Sequence, residues 1–365
     1  MTRTTGILSD SAIGTLFGEG RLMSEMMLDH DQIQPASLDL RLGAKALRVR
    51  ASFMPGRAHT VADKLERLTL HEIDLENGAV LETGCVYIVP LMESLDLPAA
   101  MSASANPKSS TGRLDIFTRV MVDYAQEFDK IPAGYKGPLY LEISPRTFPV
   151  IVRRGSRLSQ IRFRVGQALL GERELLDLHA AETLVASEAP NVSGGGIALS
   201  IDLKGTGEHG LIGYRGKHHT GVIDVDKKAA HDVLDFWEPL YSRGADELIL
   251  DPDEFYILVS NEAVHVPPLY AAEMTPYDPL VGEFRVHYAG FFDPGFGHAA
   301  AGGSGSRAVL EVRSHEVPFI LEHGQVIGRL VYEHMQERPE GLYGSGLGSN
   351  YQAQGLKLSK HFRLG

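Results

Sequence analysis

Three stretches of the chain carry residue types that could do chemistry. The first is NPKSSTGR, Asn106 to Arg113, where Lys108 and Arg113 flank Ser109, Ser110, Thr111 and Gly112. Hydroxyl and backbone N–H donors in a turn, with fixed cations beside them, make a cradle for phosphate. The same residues also suit a plain turn or helix cap, and the stretch lacks the GxxxxGK[ST] pattern of a Walker A loop. The second feature is an acid inside an apolar strand, found twice: Glu142 in LYLEI and Glu311 in VLEV. Such an acid either meets solvent or a cation, or it faces a pocket where burial raises its pKa and makes it a proton shuttle. The third is HYAGFFDPGFG, His287 to Gly297. Its Asp-Pro-Gly signals a turn, and the aromatic neighbours could hold a base or a sugar ring.

The bulk composition narrows what these features can mean. At 365 residues the chain is long enough for two domains, and its net charge of −12 argues against broad nucleic-acid binding. An anionic ligand must therefore be held by a local cluster of cations. Cys85 is the single cysteine, so no internal disulfide forms and a reducing, cytoplasmic setting is expected. A lone cysteine also excludes the His/Cys/Cys zinc centre by which one class of deaminases activates water. The 15 histidines include no HExxH pair, and His218-His219 reads as a solvated turn. No apolar run is long enough to cross a bilayer, and the first residues lack a signal-peptide core, so no membrane partner is expected.

The elements that must position the three features occur twice. LYLEISPRTFPVIVRRGSRLSQIRF from Leu139 aligns without gaps with AVLEVRSHEVPFILEHGQVIGRLVY from Ala308, an offset of 308 − 139 = 169. Tyr87/Tyr256, Glu93/Glu262, Pro98/Pro267 and Pro107/Pro276 keep that register, so the chain is a tandem duplication. Between these blocks IPAGYKG, with Gly134, matches FFDPGFG, with Gly295, at an offset of 161. The first copy thus has a longer loop around NPKSSTGR, and the second has the insert HAAAGGSGS before Glu311. Short alternating apolar runs between Gly, Pro and Asp predict an all-β sandwich or barrel with minor helices. Helices are expected in SDSAIGTLFGEG, GERELLDLHAAETLVA and HDVLDFWEPLYS. The expected boundaries are a first domain over 1–170, a helix and linker over 171–192, a second domain over 193–337 and a tail over 338–365. That tail, rich in glycine and polar groups, has little to bury and is expected to be mobile.

The order SSxxR, A-x-x-[IF]-D-x-G turn, LE strand and Tyr/Gln/Gly tail resembles the dCTP deaminases of the trimeric dUTPase-like superfamily. SLDLRLG, Ser37 to Gly43, is similar to the start of those proteins. The resemblance covers nearly the whole chain as two copies and implies a double-length bacterial dCTP deaminase built from distorted jelly rolls. It implies phosphate binding by Lys108, Ser109, Ser110 and Arg113. Ala289, Phe291 and Asp293 would shape the nucleoside pocket, with Val309 and Leu310 along the cytosine edge. Tyr351, Gln354 and Lys357 in the tail would close over the nucleotide. The catalytic acid would be the Glu of the LE strand, acting on water without zinc: Glu311 or Glu142.

Pro132 stands in the first copy where the family has Asp, and the second copy lacks SSxxR. The expectation is therefore one composite site, with the phosphate loop from the first copy and the turn and Glu311 from the second. The reaction expected is dCTP to dUTP and ammonia, with Mg²⁺ carried by the triphosphate. Pyrophosphate cleavage of dUTP, alone or combined with deamination, and non-catalytic nucleotide sensing are the alternatives. Association into a homo-oligomer, a trimer, follows from the family alone.

Overall fold

The structure, a computed structural model, describes residues 3–186, 190–205, 210–242, 244, 246–276, 284–287, 290–314, 316–344 and 355–363. Ala289, Tyr351 and Gln354, expected above to contact nucleotide, lie outside these residues.

The duplication reappears as topology. In the first half, one sheet runs in the order Lys130–Ile131, Met101–Pro107, Ser159–Val165, Ser37–Leu40, Ile33–Gln34. In the second half the order is Phe291–Phe292, Tyr270–Pro276, Val326–His334, Gly196–Ser200, Val192–Ser193, strand for strand the same. The partner sheets match as well. Ile116–Met121, Lys136–Pro145, Val86–Asp96, Lys45–Val49 and Thr69–Asp74 correspond to Phe284–His287, Ser306–Ser314, Phe255–Val264, Leu211–Gly216 and Trp237–Tyr241. Glu142 pairs with Ile88 and Glu311 with Ile257, so both partners shift by the same 169 residues (257 − 88 and 311 − 142). The fold is all-β with minor helices, a tandem pair of dUTPase-like units. Each unit's two sheets close on one apolar core, because alternate residues of every strand face inward. Leu38, Ala103 and Ile161 of one sheet meet Val89, Ile116 and Leu141 of the other.

The two cores are not sealed off from each other. Trp237, Phe255, Ile257 and Val309 of the second half, with Leu358 and Phe362 near the C-terminus, join the core of the first. Trp237 is fully buried and meets Phe148 edge-on at 5.3 Å and Phe362 at 5.9 Å. Burying side chains of this size contributes about 1.5–3 kcal/mol each, enough to hold the halves in fixed register. The C-terminal end is therefore docked where the composition predicts mobility. Leu358 and Phe362 supply its apolar anchor.

Helices depart from the sequence pattern in two places. HDVLDFWEPLYS forms only one turn, Val233–Phe236, before the strand Trp237–Tyr241. Pro239 cannot continue a helix, and Trp237 is drawn into the core. Val61–Leu68 is a further helix not among those expected, with Val61, Leu65 and Leu68 at helical spacing. A capping box between Thr60 and Asp63 starts it, and Val61 and Leu65 are its buried stripe. The other two expected helices form at Asp10–Gly18, capped by Ser9, and at Glu172–Ala181.

Candidate active site

NPKSSTGR forms the turn its residues suggest, and that turn also faces a cavity. Ser109–Gly112 is one helical turn with Lys108 at its N-cap, closed by Thr111 and Gly112 N–H groups donating to the Lys108 carbonyl. This turn lies at the wall of a cavity of about 680 Å³ between the two halves. Lys108, Ser109, Ser110, Gly112 and Arg113 line it from the first half, and Phe291, Asp293, Val309 and Glu311 line it from the second. The structure thus brings together the Lys108–Arg113 turn of one copy and the aromatic turn and acid of the other.

Glu311 sits at the centre of the strand Ser306–Ser314. Alternation along that strand sends Val309 and Glu311 towards the cavity and Leu310 and Val312 into the second core. Leu310 therefore offers the cavity no side chain, unlike Val309. The Glu311 carboxyl is buried, and burial pushes its pKa up to about 8. The opposing pull comes from Arg113, whose Nε lies 3.9 Å from Oε1. Arg113 also donates from Nη1 to the Lys357 carbonyl at 3.0 Å, which ties the C-terminal end to the loop. Lys357 contributes that carbonyl but does not line the cavity.

Glu142 occupies the same place in the fold and a different environment. Arg119 donates to Glu142 Oε1 from Nε at 3.0 Å and from Nη2 at 2.5 Å. The guanidinium is itself stacked 3.6 Å over the Phe128 ring. The helix Val61–Leu68 and its apolar cluster cover this face, and Glu142 does not reach the cavity. The strand pattern is identical in the two copies, so only the neighbours distinguish the two acids.

The turn of the second copy is held from the first. Arg162, fully buried on the strand Ser159–Val165, donates to Asp293 Oδ1 at 3.0 Å and to the Ala272 carbonyl at 3.1 Å. Its guanidinium lies 4.0 Å from the centre of the Phe291 ring. Burial holds the Asp293 carboxyl above its usual range, against the pull of Arg162. Gly295 takes φ +97°, and a Cβ there would meet Leu342 Cβ at 2.9 Å and the Tyr343 amide at 3.0 Å. Only glycine lets the chain of residues 342–343 pass so close. The insert HAAAGGSGS turns away: Ala299–Ala301 is a short 3₁₀ turn capped by His298, which bonds Glu182, and none of the insert lines the cavity.

Several lining residues were not singled out in the sequence. Asp39 is buried, pairs with Lys108, and lies in SLDLRLG, the stretch that marks the family's start. Lys360 lies three residues past the expected tail contact at Lys357. Lys228 sits in DKKAAH, which has no pattern that could reveal it. Arg162, which touches the turn from behind, reads in sequence as an outward cation of an ordinary strand. Away from the cavity, His218 bonds Glu254 at 2.9 Å on the surface.

Comparison with known proteins agrees with the two-unit architecture. Residues 4–167 match the sequence model of the 2′-deoxycytidine 5′-triphosphate deaminase N-terminal domain, and residues 171–362 that of its C-terminal domain. The chain resembles a crystal structure of 2′-deoxycytidine 5′-triphosphate deaminase from Agrobacterium tumefaciens. The identity is 81%, the TM-score 0.91, and the match covers 95% of this chain and all (100%) of that one. A dCTP deaminase of Halorubrum lacusprofundi is 33% identical over 160 residues, 43% of this chain and 76% of the relative. A dUMP-forming dCTP deaminase of Dictyoglomus thermophilum is 32% identical over 162 residues, 43% of this chain and 79% of the relative. These relatives match less than half of the chain, in keeping with its double length. A cavity shared by two dUTPase-like units, with a buried acid on its floor, belongs here to an enzyme of the 2′-deoxycytidine 5′-triphosphate deaminase family.

Proposed function

We propose that this cavity converts dCTP to dUTP and ammonia, with Glu311 as the proton-transferring acid and without zinc. The observation that carries the reading is the environment of Glu311: buried, facing the cavity, 3.9 Å from Arg113, with its carboxyl pushed up to about 8. A carboxyl poised near neutrality can take a proton and give it back in one turnover. As carboxylate, Glu311 removes a proton from water as the oxygen attacks C4 of cytosine. It delivers that proton to N3, then takes the second proton from the C4 hydroxyl and passes it to the amine, so that ammonia departs as the C4 carbonyl forms. Arg113 offsets the charge on Glu311 at each stage. Phe291 and Val309 give the pyrimidine an apolar wall, and Lys108, Ser109 and Ser110 present donors to the phosphates.

Mg²⁺ fits this site only as a companion of the triphosphate. Asp39 Oδ1 is buried at the cavity without a hydrogen bond, and among the described residues no three ligating side chains gather. An ion held there would draw most ligands from phosphate and water, and would offset phosphate charge.

The alternative product is dUMP, as in the name of the Dictyoglomus relative. It requires a carboxylate to orient water at the α-phosphate. Asp293 is the candidate, but its Oδ1 already accepts from Arg162. This favours dUTP as the released nucleotide. Incubation with dCTP, followed by separate assays for ammonia and pyrophosphate, tests both parts. Ammonia without pyrophosphate is expected; pyrophosphate in equal amount would establish the combined reaction, and binding without turnover would establish a sensor.

A further inference from the structure

Arg113 and Glu311 do not meet alone where the two halves touch. Two residues beyond each of them, Asp115 and Arg313 form a second ion pair with the charges exchanged: the acid comes from the first copy and the cation from the second. Arg313 donates to Asp115 Oδ2 from Nη2 at 2.5 Å and from Nε at 3.1 Å. Thr147 closes the arrangement, donating to Asp115 Oδ2 at 2.6 Å and accepting from Arg313 Nη2 at 2.9 Å. Arg313 Nη1 donates to the Asp253 carbonyl, which ties the guanidinium to its own copy. Asp115 is fully buried, Arg313 is buried too, and neither lines the cavity.

The backbone couples this pair to the one in the cavity. The Asp115 N–H donates to the Gly112 carbonyl, and the Asp115 carbonyl accepts from the Arg146 N–H, both at 2.9 Å. Asp115 has φ +55°, a left-handed conformation that residues other than glycine adopt rarely. The chain turns there from the helical turn beside Arg113 into the strand Ile116–Met121. On the opposite side, residues 311 and 313 share one face of the strand Ser306–Ser314. The first copy has Ser144 where the second has Arg313, at the repeat offset of 313 − 144 = 169. The arginine therefore accompanies only the acid that faces the cavity.

We propose that Asp115 and Arg313 are positioning residues for the deamination: their ion pair holds the Glu311 strand at a fixed distance from the Arg113 turn. This rests on the reading above of Glu311 as the proton-transferring acid. At 3.9 Å, Arg113 Nε lies beyond hydrogen-bond distance of Glu311 Oε1. A closer guanidinium would hold Glu311 as a carboxylate and hinder its reprotonation. A more distant one would leave the carboxylate charge unbalanced in a buried site. The spacing matters, yet a contact this long does not fix its own geometry. The planar fork of Arg313 on Asp115 fixes it from behind, across the same junction between the halves.

The test uses R313K, which keeps the charge without the fork, and D115N, which keeps the shape and tolerates the left-handed backbone. Each is made in the parent and in E311Q, with ammonia release from dCTP as the assay. R164K is the control, because Arg164 pairs with Glu333 across the same two halves and does not line the cavity. R313K and D115N should lower kcat about tenfold or more, since a misplacement of about 1 Å costs up to about a hundredfold. KM should stay within about twofold of the parent's, and neither change should slow E311Q further. R164K should lower Tm and leave kcat unchanged. D115N carries the test if R313K folds poorly. Parental kcat in R313K and D115N, with Tm lowered as in R164K, overturns the proposal and leaves Glu311 as the acid. The same fold-loss in E311Q as in the parent also overturns it, because the pair would then act other than through Glu311. An E311Q variant with the parent's kcat would overturn the choice of acid, and the positioning role with it.

Discussion

Arg162 of the first repeat and Asp293 of the second form a buried ion pair, Nη2 to Oδ1 at 3.0 Å, that holds the Asp-Pro-Gly turn from behind. The same guanidinium covers Phe291, so one side chain orients two residues that line the cavity. This is a composite site in a literal sense. The turn belongs to one copy, and its support belongs to the other.

Replacing Arg162 with Met would leave Asp293 buried without its partner, a loss of about 3–5 kcal/mol. The expected result is a lower Tm and a raised KM for dCTP. R162K keeps the charge but not the planar fork, and should recover much of the stability and less of the KM. Thermal unfolding and steady-state kinetics separate the two effects. An unchanged KM in both variants would exclude the positioning role.

The two strand acids should respond in opposite ways. E311Q should lower kcat by about a thousandfold or more, since it removes the group that transfers the proton. E142Q should keep kcat and weaken the contact with Arg119, at about 1–3 kcal/mol of stability. Loss of activity in E142Q with retention in E311Q would reverse the assignment of the two acids.

The pH dependence follows from the sign of the Glu311 shift. The acting form is the carboxylate, so kcat/KM should rise with pH and level off above about 8. Stability runs the other way. A carboxyl whose folded pKa lies above its unfolded value contributes fully at low pH, and stability falls as pH rises from the unfolded value through about 8. E311Q removes that loss. Its Tm should exceed the parent's by a few degrees at pH 9 and show little such gain at pH 4. A parent whose Tm tracks E311Q at both pH values would place the titration elsewhere.

Gly295→Ala should damage binding through the chain that crosses the turn. At φ +97° a side chain is strained, and the new Cβ would press on Leu342 and the Tyr343 amide. The expected cost is about 1–3 kcal/mol of stability with a raised KM for dCTP. Gly324→Ala also has positive φ (+81°), but it has no atom within 4 Å of its Cβ and lies away from the cavity lining. It serves as the control, with backbone strain alone and an unchanged KM.

How much of this was legible in the residues depends on whether the signal was local. The repeat at an offset of 169 residues is a property of the string, and identical folds follow because alternation and turn chemistry act over a few residues. SSxxR, the DPG turn and the LE strand were legible for the same reason. Glu142 and Glu311, by contrast, have equivalent apolar neighbours in sequence and the same register in the sheet. What separates them is Arg119, 23 residues before Glu142, and Arg113, on a loop of the other copy. Lys228, Lys360 and Arg162 act through contacts across the fold, and their local patterns are those of ordinary surface or strand cations. By itself the sequence determined the duplication, the all-β class and the chemical inventory, all set by short-range geometry. Which acid faces the cavity, which cations gather around the Lys108–Arg113 turn, and which half supports the other's turn were decided by tertiary structure. Burial and long-range charge pairing exist only once the two copies have packed together.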